Sequence, residues 1–105
     1  MSAADPRTIT FDFRQLQRKF KHAVDFGVTG KYSRQQATMF ERAIRTHVED
    51  ETTLMIPGTY RGEPVTYFVD PQTGLNVMRD MQGDFVLGWR LTLVQLTNVL
   101  VRGSL

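Results

Sequence analysis

Turn signals divide residues 53–90 so finely that only short strands fit between them. Arg61-Gly62, Asp70-Pro71-Gln72-Thr73-Gly74 and Asp80-Met81-Gln82-Gly83 each end a polar stretch on glycine, and Pro71 presets a turn dihedral. Between them Val65, Tyr67 and Val69 alternate with Thr66 and Phe68, which is the two-residue period of a strand. Thr59-Tyr60, Leu75–Arg79 and Phe85–Trp89 complete a set of four strands, and such short connections permit only an antiparallel meander. Pro57-Gly58, after Leu54 and Ile56, points to a bulge or an irregular edge.

The residues before this region follow a different period. Phe13, Leu16, Phe20, Ala23 and Val24 recur at helical spacing and predict one helix over about 13–26, with Gly27 as its left-handed cap. Ser33 and Gln36 have capping-box spacing and open a second helix, whose stripe is Ala37, Phe40, Ile44, His47 and Val48. Thr92 and Gln95 repeat that spacing before a final helix of about 93–101, with Leu93, Val94, Leu96 and Leu100 as its apolar residues. Residues 1–9 read as a polar, flexible leader. The expected class is α+β: N-terminal helices packed on a four-stranded antiparallel sheet, followed by a C-terminal helix.

At 105 residues the chain has the size of a single domain, which can bury a modest core unaided. The absence of cysteine excludes disulfides, thiolate metal sites and cysteine nucleophiles. With only two histidines besides, no metal site or cofactor is expected. No apolar run reaches the ~20 residues of a bilayer span, so no membrane insertion is expected, and the N-terminus lacks a signal-peptide pattern. Net charge is only +2, but residues 1–34 carry seven Lys/Arg against three Asp/Glu, an excess that would attract a polyanion.

His22 is the most informative candidate for chemistry. On a continuous helix it falls opposite the apolar stripe, with Arg18 one turn before it, Lys19 three residues before it and Asp25 three after it. A surface histidine on a basic helix has this pattern. So does a base for metal-free RNA cleavage, which must take the ribose 2′-OH proton while cations stabilise the phosphorane. Neighbouring cations favour the neutral imidazole that a base needs. His47 lies at the edge of its helix's apolar stripe and is read as a packing or hydrogen-bonding residue. Trp89 is either core or a stacking platform for an unstacked base. Tyr60, Arg61 and Arg90 are either strand-edge surface residues or phosphate contacts.

Several blocks then resemble a known family, in the right order and over most of residues 16–102. Leu16 through Gly27 is similar to the catalytic-histidine helix of the colicin D nuclease family. Gly58 through Thr66 resembles its first hairpin, Asp70-Pro71 through Met78 its central strand pair, and Gly88-Trp89-Arg90-Leu91 its last strand. The resemblance implies a fold of the barnase–EndoU–colicin–RelE ribonuclease group. It also implies metal-independent cleavage in a tRNA anticodon loop, giving 2′,3′-cyclic phosphate and 5′-hydroxyl ends. By it His22, Lys19, Lys21 and Trp89 match catalytic positions, and Arg18, Tyr60, Arg61 and Arg90 are the candidate substrate contacts. Family members carry a serine two residues before that tryptophan, where Leu87 stands here. The implied partners are tRNA and a dedicated, acidic immunity protein. The domain is expected to be a monomer, secreted or delivered as part of a larger toxin, and to act in the cytoplasm of a target bacterium. The alternatives from other classes are a non-catalytic RNA-binding module and a protein-interaction domain using the same basic helix.

Overall fold

A computed structural model describes residues 7–105. The four strands are β1 (Leu54–Tyr60), β2 (Glu63–Val69), β3 (Leu75–Asp80) and β4 (Phe85–Arg90), paired antiparallel in sequence order. β1 pairs with β2 in unbroken register from Leu54↔Val69 to Tyr60↔Glu63, so the bulge expected at Pro57-Gly58 does not form. Pro57 is tolerated because β1 is an edge strand, where a missing amide hydrogen costs little. The one irregularity lies instead between Met78 and Arg79, opposite the start of β4. Arg61 and Gly62 form a two-residue turn with φ of 52° and 82°, the paired positive angles that match hairpin twist.

Strand alternation gives the sheet two apolar faces. Phe68, Val77 and Phe85 face one core, shared with Leu16, Ala23, Phe40, Ile44 and Val48 from the helices that precede the sheet. Val65, Tyr67, Val69, Met78 and Leu87 face the other, covered by Val99 of α3 (Leu93–Arg102). α3 has the complete reciprocal capping box at Thr92 and Gln95. It packs through Val99 and Leu96, however, while the expected contacts Leu93, Val94 and Leu100 are exposed.

α2 (Arg34–Glu49) starts as expected, with the Ser33 hydroxyl accepting the Gln36 amide. The Gln36 side chain turns to the Thr29 carbonyl instead of closing the box. The expected helix over 13–26 is two elements: α1 (Phe13–Arg18), capped by Asp12, and a 3₁₀ helix over Phe20–Phe26. Of the leader expected over 1–9, residues 1–6 lie outside the described residues, and the rest is held in place. Ile9 is buried, and Arg7 donates to the carbonyls of Val48 and Thr53.

Candidate active site

The tighter winding after Lys19 decides which side chains share a face. With three residues per turn, positions i and i+3 eclipse one another. Phe20, Ala23 and Phe26 therefore point inward together, and Val24, expected inside, is 61% exposed. Phe20 and Phe26 each meet the Phe40 ring edge-on, at 5.9 and 5.6 Å. The second line of the helix carries Lys19, His22 and Asp25. The third carries Lys21 and Val24, both exposed. Arg18 ends α1, so the continuous helix that would stack it on His22 is broken between them.

Two long-range hydrogen bonds hold this segment along the outer edge of β4. Gln15 Nε2 donates to the Val86 carbonyl at 2.6 Å, and the Arg90 amide donates to Asp25 Oδ2 at 3.0 Å. Between them the Phe26 ring lies directly on Gly88, where an added Cβ would stand 3.0 Å from Phe26 Cζ. These contacts occupy backbone groups that an edge strand would otherwise leave open. They also hold at both ends the segment that carries His22, which lies three residues before the Asp25 anchor.

His22 is half-buried, and its ring has no hydrogen-bond partner among the described residues. Burial is the largest influence on it and lowers its pKa below the ordinary histidine value; Lys21 and Lys19 act in the same direction, and Asp25 opposes them. The ring is therefore neutral near pH 7, yet one side remains open to solvent. A neutral imidazole with two ammonium groups beside it can take a proton from a hydroxyl and leave the cations to stabilise the anion that forms.

The structure brings His22 together with Lys19, Lys21 and Asp25, whose charges all act on its ring. Arg90, at the end of β4, is tied to this group only through its amide on Asp25, and its Nη1 donates to the Thr73 carbonyl. Trp89 is half-buried on the α3 side of the sheet, and its Nε1 donates to Gln95 Oε1 at 3.4 Å. Leu87 lies on that same face within the α3-side core, paired with Met78. Tyr60 and Arg61 are not part of the His22 cluster: they sit at the β1–β2 turn, beyond the far edge and at the opposite end of the sheet from Arg90. There the Arg61 guanidinium stacks on the Tyr60 ring, 5.2 Å from its centroid. His47 is buried, with Nε2 donating to the Phe68 carbonyl at 2.8 Å, so it is a packing and hydrogen-bonding residue as its stripe position indicated. Sequence reasoning left out Gln15 and Asp25, the two anchors. Asp25 was visible three residues after His22, but its bond to Arg90 spans 65 positions.

The family model for colicin D matches residues 15–99. Colicin-D of Escherichia coli is 37% identical over 83 residues, which cover 77% of this chain and 12% of that protein. The chain thus spans only a small part of that relative's length. Among solved structures, a ribonuclease from Escherichia coli complexed with its inhibitor protein is 35% identical, with a TM-score of 0.76. The match covers 87% of this chain and 100% of that one. The matched span opens at the anchor Gln15, includes the His22 segment and all four strands, and closes within α3, and by it the chain belongs to the colicin D family.

Proposed function

We propose that this domain is a metal-independent endoribonuclease toxin that cleaves tRNA in the anticodon loop, leaving 2′,3′-cyclic phosphate and 5′-hydroxyl ends. The observation that carries the reading is the neutral, half-open His22 ring beside Lys19 and Lys21, held to β4 by Gln15 and Asp25. The choice of tRNA rests on family membership.

In this mechanism His22 takes the proton of a ribose 2′-OH. The 2′-oxygen attacks the adjacent phosphorus, the bond to the 5′-oxygen breaks, and that oxygen takes a proton from water as it leaves. Lys19 and Lys21 stabilise the phosphorane, a kind of preorganised charge stabilisation that typically contributes about 10²–10³-fold in rate. Arg90 and Arg18 hold flanking phosphates. Trp89 supports the site from the other face of β4. Tyr60 and Arg61, in the opposite corner, can touch only a distant part of a substrate as large as tRNA.

The Escherichia coli ribonuclease was solved with its inhibitor protein, and an acidic immunity protein covering the basic α1 region is the corresponding partner here. Delivery as part of a longer toxin is consistent with the small share of Colicin-D that the chain matches. No helix among the described residues is long and apolar enough to cross a membrane.

Incubation with total tRNA in EDTA tests the proposal. Discrete fragments ending in cyclic phosphate are expected. Salt-sensitive tRNA binding without product would instead favour the RNA-binding module.

A further inference from the structure

A cavity of about 660 Å³ opens between the 3₁₀ helix, α2 and the Leu75/Arg90 end of the sheet. Its size is within the ~300–1,000 Å³ typical of small-molecule sites. His22 does not line it, but Arg90 and Asp25 do, and the Asp25 carboxylate that lines the cavity is the one whose charge acts on the His22 ring. Phe26, Met39, Ala43 and Leu75 supply apolar walls. Arg42, on the exposed side of α2, stands at the rim, and its guanidinium has no partner among the described residues.

Charge decides what such a cavity can hold. Three carboxylates line it: Asp25, Asp50 and Asp70. Each has one oxygen committed to a nearby amide, from Arg90, Thr52 and Gln72 respectively, and the second oxygen is left as an acceptor. Two arginines do not outweigh three carboxylates, so a phosphate has no reason to enter. A flat base with a donating edge meets apolar walls for its faces and carboxylate oxygens for its amino group. Its phosphate would remain at the mouth, within reach of Arg42 and Arg90. Uracil has no amino group, and its single N3–H lies between two carbonyl acceptors that face the same oxygens unfavourably.

We propose that this cavity is a base-binding subsite, which takes one unstacked nucleotide bearing an exocyclic amino group next to the bond cleaved at His22. The proposal rests on the nuclease reading and names part of its substrate. It predicts that sequence preference beside the cut is for cytosine, adenine or guanine over uracil.

The test is an amide-resolved NMR titration of the domain with CMP, AMP, GMP, UMP and inorganic phosphate. The amino-bearing nucleotides should shift amides of residues 25–28, 43, 46 and 73–75, and UMP should bind at least several-fold more weakly. Arg42→Ala, at an exposed and unpaired position, should weaken this binding severalfold without lowering Tm. Thr46→Trp, which fills the cavity from the exposed side of α2, should abolish it. No shifts at these amides, equal binding of UMP, or the same shifts with phosphate alone would overturn the proposal. So would Thr46→Trp cutting RNA at the wild-type rate with unchanged sequence preference. A wild-type protein that binds the nucleotides but cuts no RNA would sink the nuclease reading instead, because the titration does not depend on cleavage.

Discussion

At the residue scale, His22 owes its neutrality to three influences on one ring: burial first, then Lys21 and Lys19, with Asp25 pulling the other way. A base must be deprotonated to act, so cleavage should rise with pH along a limb whose midpoint lies below the ordinary histidine value of about 6.5. Lys21→Gln should move that midpoint up, because it removes a cation that disfavours the imidazolium. Asp25→Asn should move it down, because it removes the carboxylate that favours it, while the amide oxygen can still accept from Arg90. Single-turnover pH profiles check both signs. His22→Ala should change Tm little, since the ring is half-buried and bonds to no described residue. A large fall would mark the residue as structural.

At the element scale, the 3₁₀ helix is where the sequence was least legible. Phe20 and Ala23 fit a 3.6-residue period and a 3.0-residue period equally well. Only the fates of Val24 and Phe26 separate the two, and those depend on Gly88 and on anchors 65 and 71 positions away. The same non-local origin explains α3, whose apolar residues outnumber the places for them on the sheet, so that Val99 is buried and Leu93 is not. Turns and caps were legible because their chemistry is local: Asp70 through Gly74, Thr92 with Gln95, and Ser33 before α2 all sit where their side chains dictate. Gly88→Ala tests the element directly. Its methyl would press on the Phe26 ring, and overpacking of this kind costs roughly 1–3 kcal/mol. The segment would be pushed from β4 and His22 with it, so cleavage should fall by more than the loss of folded protein. Activity corrected for folded fraction, from a denaturation curve, separates the two.

At the scale of the whole molecule, one sheet with a core on each face supports the site from behind. His47 ties the two layers together, reaching from α2 to the Phe68 carbonyl. Burial, the largest influence, lowers its pKa, and the bond to Phe68 together with Asp70 and Asp50 only partly offsets this. The folded state therefore binds fewer protons here than the unfolded chain once pH falls below about 6.5. Stability should accordingly be full above that value and decline as pH drops from it toward the lower folded-state pKa. His47→Gln, which keeps a donor for Phe68, should flatten the decline. Urea midpoints measured between pH 8 and pH 5 give the comparison. The fold class and the His22 candidate could be read from the chain alone, as could the basic character of residues 1–34. The cavity behind Asp25 could not, because its walls come from four separated segments that only the folded chain brings together.

The most direct test of the central claim is a single-turnover assay on tRNA in EDTA, comparing the wild-type domain with His22→Ala at matched folded concentration. General acid–base catalysis typically contributes about 10²–10⁴-fold. The wild type should give cyclic-phosphate ends, and the variant should be slower by at least the lower figure. Equal cutting by the two proteins, or intact tRNA with a folded wild type, would contradict the account.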